Sequence, residues 1–128
     1  MKNDELNRLG GLILDASIMA HKELGPGLLE SAYTFALRKE LILRGVNCRL
    51  QVPVEFNYKG DALGKIYVID ILVEEQIIIE VKSVDTMIPI FDAQLITYLK
   101  LYQKKLGYLI NFNVPLLKDG FHRIVYKF

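Results

Sequence analysis

Two stretches of the chain put charge where apolar side chains are expected. Tyr67 to Val73 reads YVIDILV and sets Asp70 among apolar neighbours. Ile77 to Ser83 reads IIIEVKS and runs three isoleucines into Glu80, Val81 and Lys82. A strand buried on both faces has no cheap place for an isolated carboxylate, so Asp70 needs a partner or a cation. Register decides whether Glu80 is that partner. If Val73 and Ile77 flank a three-residue loop, Glu74 to Gln76, then Leu72 pairs with Ile78 and Asp70 with Glu80. Directly opposed residues share a face, with Cβ atoms ~4.5–5.5 Å apart. A slip of one residue sends the two carboxylates to opposite faces. Lys82 shares the face of Glu80, displaced by ~6.6 Å along the strand.

Opposed carboxylates repel each other unless one is protonated or a cation lies between them. Magnesium or manganese suits an all-oxygen ligand set completed by a backbone carbonyl and waters. A lysine beside such an ion orients or activates water, or stabilises charge on an attacked phosphate. The plainer alternative makes Glu80 and Lys82 solvated charges near a strand end, with Asp70 satisfied by a turn amide.

The elements that must position these residues are legible in the periodicity. Leu6, Leu9, Ile13 and Ala16 recur at helical spacing from about Glu5 to Leu24. Asn3 or Asp4 is the expected cap and Gly25-Pro26 the stop. A second helix is expected from Leu28 to about Arg44, with Tyr33, Ala36, Leu37 and Leu41 on one stripe and Gly45 ending it. From Cys48 to Tyr58 the period changes to two, as in a strand with one wet face. Pro53 argues for an edge position, and Lys59-Gly60-Asp61 makes a turn. Strands are expected near Lys65 to Val73 and Gln76 to Ser83, then a helix from Pro89 to Leu106 closed by Gly107. Tyr108 to Asn113 and Phe121 to Tyr126 close the chain around a turn at Lys118-Asp119-Gly120. The order α-α-β-β-β-α-β-β describes an α/β (α+β) protein, a mixed sheet flanked by helices.

Bulk properties narrow the class. The 128 residues, 52% hydrophobic and 24% charged, suit one globular domain over residues 1–128. No window holds the ~20 apolar residues of a membrane span. Leu9 to Ala20 is apolar, but Asp15 interrupts it and no small-residue cleavage site follows, so it fails as a signal peptide. One cysteine, Cys48, builds neither a disulfide framework nor a zinc site. A cytoplasmic protein with no membrane partner is expected. The net charge of +1 leaves a nucleic-acid partner open, because phosphate binding depends on where basic residues cluster. His21 and His122 have no ligand spacing and are expected to be solvated or capping.

Asp70 followed by Glu80-Val81-Lys82 on adjacent strands resembles the PD-(D/E)xK nuclease superfamily. Gly27-Leu28-Leu29-Glu30-Ser31-Ala32-Tyr33 is similar to the G-x-x-E-x-x-Y motif of a small bacterial family named for it. HKELGPGLLESAY from His21, AQLITYLK from Ala93 and LGYLINFNVPLLKDG from Leu106 look like the same GxxExxY family. The resemblance spans nearly the whole chain. It implies a restriction-endonuclease-like αβββαβ core with the first helix as an addition. By position it makes Asp70 and Glu80 metal ligands with Val81, and Lys82 the catalytic lysine. Glu30 matches a helix glutamate that faces the metal site, while Gln94 and Tyr98 match a Q-x-x-x-Y element flanking it. Their i, i+4 spacing puts Gln94 and Tyr98 on one helix face.

Each of these residues also has a structural reading. Glu30 opens a helix, where a carboxylate is favourable against the dipole. Tyr33 suits core or hydroxyl-bonded scaffold, and Tyr98 suits either scaffold or site. Gly25 and Gly27 suit a tight turn between helices. Two positions depart from the family pattern, with Val68 where an arginine is common and Phe91 where a histidine is common.

The resemblance implies a Mg²⁺- or Mn²⁺-dependent nuclease hydrolysing phosphodiester bonds in DNA or RNA. The alternative is a catalytically silent nuclease fold kept for nucleic-acid binding or protein assembly. Arg38, Lys39, Arg44 and Arg49, or Lys100, Lys104 and Lys105, would then supply phosphate contacts. A homodimer through the first helix or through Leu50 to Phe56 is a third expectation.

Overall fold

The computed structural model describes residues 1–64 and 67–128. Its helices are α1 (Asn3–Leu24), α2 (Glu30–Leu43) and α3 (Pro89–Tyr102). Its strands are β1 (Cys48–Val54), β2 (Asn57–Tyr58), β3 (Asp61–Ala62), β4 (Tyr67–Val73), β5 (Ile77–Lys82), β6 (Leu106–Asn111) and β7 (Phe121–Val125). The expected start of the second long strand at Lys65 lies outside the described residues. Five strands form one mixed sheet in the order β1-β4-β5-β6-β7. β5 and β6 run parallel and α3 makes the crossover between them, while the other neighbours in this sheet are antiparallel. β1 is an edge strand, where Pro53 withholds no ladder donor from a second neighbour.

Helices cover both faces. Leu6, Leu9, Ile13 and Ala16 of α1 and Tyr33, Leu37 and Leu41 of α2 are buried against Ile71, Val73, Ile77, Ile79 and Val81. Leu95, Tyr98 and Leu99 of α3 pack on Leu72, Ile78 and Leu109 on the opposite face. The apolar stripe of α1 is therefore covered within the chain. Among the described residues no helix is long and apolar enough to cross a membrane.

Several boundaries differ from expectation, each for a local reason. Lys2, not Asn3 or Asp4, is the cap residue of α1, with no side-chain cap bond. The Asn3 amide instead donates to the Phe128 carbonyl at 2.9 Å. α3 stops at Tyr102 because Gln103 turns left-handed, with φ 55°. Gly107 does not close that helix; it lies inside β6, where a Cβ would meet Leu95 Cδ1 at 3.0 Å and the Ile78 carbonyl at 3.1 Å. The glycine is there so that α3 can lie close on the sheet. His21 is buried rather than solvated, and its Nε2 is 2.7 Å from the Val114 carbonyl that accepts from it.

The long strand expected from Cys48 to Tyr58 also breaks. Asn57–Tyr58 turns back on Asp61–Ala62 in a separate ribbon. Within β1 itself, Cys48 and Leu50 pack with the α1/α2 core, whereas Val52 and Val54 pack with the α3 core. Gln51 between them has φ 52°, a left-handed conformation that only glycine adopts without cost. The strand changes face there, so an unbroken alternation serves two cores.

Candidate active site

The hairpin of β4 and β5 has the register inferred from the three-residue loop: Ile71 faces Ile79, Leu72 faces Ile78 and Val73 faces Ile77. Glu74 and Glu75 close the loop with φ of 50° and 57°. Continuing the register sets Asp70 against Glu80, but the regular ladder ends before it. Asp70 Oδ2 instead accepts the Val81 N–H at 2.8 Å. The β1–β4 ladder lapses at the same level, passing from Leu50–Ile71 to Val52–Ile69 and skipping Gln51 opposite Asp70. Asp70 thus sits at a local break in the sheet, and its side chain stands in for a missing backbone acceptor.

Glu80 has the opposite environment. It is 6% exposed, and its Oε1 is buried without a hydrogen-bond partner. Burial, then the negative charge and proximity of Asp70, push its pKa up to about 10, with Lys82 opposing the shift. One proton is consequently held at the pair near neutral pH. Lys82 is half-buried, and its Nζ lies 4.4 Å from the centroid of the Phe91 ring, in cation–π range. Phe91, where a polar residue was the expected pattern, supplies an aromatic cradle for the ammonium.

α3 brings the remaining side chains. Tyr98 is buried, with its ring 6.4 Å from that of exposed Tyr67. Burial and the charges of Glu80 and Asp70 raise its hydroxyl pKa to about 12, which the Gln94 amide partly offsets. Tyr98 therefore lies within reach of the carboxylate pair, and Gln94 meets the Tyr98 hydroxyl. Glu30 does not join the pair. It is exposed in the first turn of α2, and the described residues contain no group of three or more His, Cys, Asp or Glu side chains able to hold a metal. It shares an end of the sheet with the pair, since the Ser83 hydroxyl donates to the Leu28 carbonyl at 2.5 Å.

Two supporting residues carried little signal. Asn111 is buried in an otherwise apolar strand and clamps the backbone beyond Lys82: its Oδ1 accepts from Val84 N at 3.1 Å and its Nδ2 donates to Val84 O at 3.0 Å. The asparagine ending LGYLIN was the visible trace. Tyr33 is scaffold: its hydroxyl donates to the Gly25 carbonyl and accepts the Leu28 N–H, and its ring stacks on Phe112 at 4.6 Å. The Gly25 and Gly27 turn that it braces has φ of 68° and 97°.

A divalent cation fits this arrangement. The unpartnered Glu80 oxygen and the repulsion between two carboxylates both call for positive charge. The Val81 N–H on Asp70 Oδ2 puts the Val81 backbone beside the pair, where its carbonyl would be the third oxygen. Two carboxylates and a carbonyl are a short protein ligand set, as hydrated magnesium usually accepts.

A family model described as PD-(D/E)XK nuclease superfamily matches residues 7–124. The chain belongs to the PD-(D/E)XK nuclease superfamily. The match includes the hairpin, both helices that flank it and all of β6. Its three helices and mixed five-stranded sheet are the α+β arrangement of the restriction-endonuclease-like fold, with α2, β1, β4, β5, α3 and β6 as the αβββαβ core of this superfamily member. No curated protein and no solved structure matches the chain.

Proposed function

We propose that the protein is a cytoplasmic, Mg²⁺- or Mn²⁺-dependent nuclease that hydrolyses phosphodiester bonds in DNA. The single observation that carries this reading is the buried Glu80 oxygen without a partner, beside Asp70 and a lysine. Asp70, Glu80 and the Val81 carbonyl would hold the ion. When bound, the ion supplies Lewis-acid polarisation of a phosphate and of an attacking water. Glu80 surrenders its proton on binding. Lys82, kept over Phe91, presents its ammonium to the negative charge that develops on the phosphate. Gln94 orients the ligands by its amide, and Tyr98 walls the pair from bulk water. Glu30 acts from the rim, where a carboxylate tolerates phosphate only across a cation.

The test is nicking of supercoiled plasmid, with a single-stranded RNA arm, in Mg²⁺ or Mn²⁺. Lys82→Ala is expected to lower the rate by on the order of 10²–10³ while keeping the fold. Equal inertness of wild type and variant on both nucleic acids refutes catalysis. Manganese titration followed by electron paramagnetic resonance gives a readout without turnover: Glu80→Gln should lose the bound ion.

One observation favours the silent alternative. Phe91 sets an apolar ring against the Lys82 ammonium, and Val68, two residues before Asp70, is an exposed apolar side chain. Nucleic-acid binding without hydrolysis selects that reading. A homodimer now rests on the edge strand β1 or the outer face of α2, where Leu29 and Phe35 are exposed.

A further inference from the structure

A concavity of about 410 Å³ is lined by Lys100, Gln103, Lys104, Lys105, Tyr126 and Lys127. It lies at the other end of the sheet from the carboxylate pair. In the parallel β5–β6 ladder, Ile77 faces Leu106 and Lys82 faces Asn111. Five residue steps of ~3.3 Å separate the two ends by roughly 17 Å.

The four lysines come from three segments: α3, its connection to β6, and the chain beyond β7. Their backbones are held in place. Gln103 is left-handed and the Lys104 N–H donates to the Leu99 carbonyl at 2.9 Å, closing α3 in a Schellman-type turn. The Tyr126 N–H donates to the Lys105 carbonyl at 2.8 Å. The Tyr126 ring then lies 5.8 Å from Lys100 Nζ and 5.4 Å from Lys127 Nζ.

Lysines strung along one helix are usually its solvated face. Here they share one concavity, and among the described residues none of the four forms an ion pair. Glu75, the carboxylate that feels Lys104, is already bonded to Arg49 through both its oxygens. Gathering like charges without a counter-charge costs Coulomb energy, which an anion relieves. The net charge of +1 offers a polyanion no general attraction, and the carboxylate end repels it. A local cluster must provide the attraction.

We propose that this concavity is a second, non-catalytic site that binds the phosphodiester backbone of nucleic acid, remote from the carboxylate pair. It deepens the nuclease reading and rests on it for the choice of polyanion. Tyr126 holds two of the ammonium groups apart and in place, and the lysines take phosphates.

The test is fluorescence anisotropy with labelled duplex and single-stranded DNA in EDTA, across a series of salt concentrations. Wild type is compared with the variant carrying Lys100→Gln, Lys104→Gln, Lys105→Gln and Lys127→Gln. A control carries Lys2→Gln and Lys22→Gln, exposed lysines at the two ends of α1. The fourfold variant should bind at least tenfold more weakly, and its log–log salt slope should flatten by about 2–4, at ~0.7–0.9 per phosphate contact. The control should keep the wild-type slope. Unchanged binding by the fourfold variant, an equal loss in the control, or no binding by wild type overturns the proposal. So does wild-type binding to phosphatidylserine vesicles but not to DNA. Because EDTA removes turnover, the two readings fail separately: lysine-dependent binding without hydrolysis in Mg²⁺ sinks only catalysis, and hydrolysis with lysine-independent binding sinks only the anchor.

Discussion

β5 serves two faces of the sheet with alternate residues, and the two faces have opposite characters. Ile77, Ile79 and Val81 point into a core sealed by α1 and α2. Ile78, Glu80 and Lys82 point under α3, where apolar packing gives way to a protonated carboxylate and a half-buried ammonium within two residues. One strand thus carries both the packing that stabilises the fold and the groups that cost it stability. Substitutions on the two sides should separate these contributions.

The largest effect belongs to the sealed face. Ile79→Ala removes a fully buried side chain facing Ile71 across the hairpin and should destabilise by about 3–4 kcal/mol, measured by chemical denaturation. Its neighbour Glu80→Gln should raise stability at neutral pH in the metal-free protein. Equal losses at both positions would erase the distinction between the faces.

Next comes pH. Glu80 titrates at about 10 when folded against an ordinary value of 4.5. Between those values the native state keeps a proton that the unfolded chain has released, so stability falls as pH rises. The contribution is fully present below pH 4.5 and lost through pH 10, by up to about 1.4 kcal/mol per unit. Unfolding in EDTA at pH 6 and pH 8 should differ by up to about 2.7 kcal/mol, and Glu80→Gln should flatten the slope. An identical slope in the variant assigns the effect elsewhere. Magnesium must displace the same proton, so calorimetry in buffers of different ionisation enthalpy should record about one proton released per ion at pH 7.5.

Gly107→Ala probes how closely α3 lies on its face. The added methyl meets Leu95 and the Ile78 carbonyl, for an expected loss of about 1–3 kcal/mol. A neutral result would mean that α3 yields, and that the face beside the site is looser than the α1/α2 core.

The sequence disclosed most of what depends on period and little of what depends on single dihedrals. The stripes of α1 and α2 follow from side chains that repeat, the edge position of β1 from Pro53, and the hairpin register from a loop of three residues. Counting back from that loop sets Asp70 opposite Glu80. The stop at Gln103, the face change at Gln51 and the passage of Gly107 into β6 depend on left-handed residues or on a contact across layers, which composition does not encode. The difference between the two carboxylates was equally hidden. Asp70 finds an N–H because the ladder breaks beside it, whereas Glu80 is buried with its Oε1 unpartnered. Lys100, Lys104 and Lys105 group together in the sequence itself, but Lys127 joins them only through the β6–β7 pairing.

The smallest expected effect compares two buried tyrosines, one on each face. The Tyr33 hydroxyl joins two backbone groups, the Gly25 carbonyl and the Leu28 N–H, in the turn before α2. Tyr33→Phe should therefore cost about 1–2 kcal/mol, because both lose a partner. The Tyr98 hydroxyl ties no backbone group among the described residues; its neighbours are Glu80, Asp70, Tyr67 and Gln94. Tyr98→Phe should cost less, at most about 1 kcal/mol, because its hydroxyl meets only the Gln94 side chain. If the face under α3 is the reacting one, the same change should still slow DNA hydrolysis in Mg²⁺, and Tyr33→Phe should not once both proteins are folded. A stability loss at Tyr98 equal to that at Tyr33 would make it scaffold, and the division between the faces would then stop at Glu80 and Lys82.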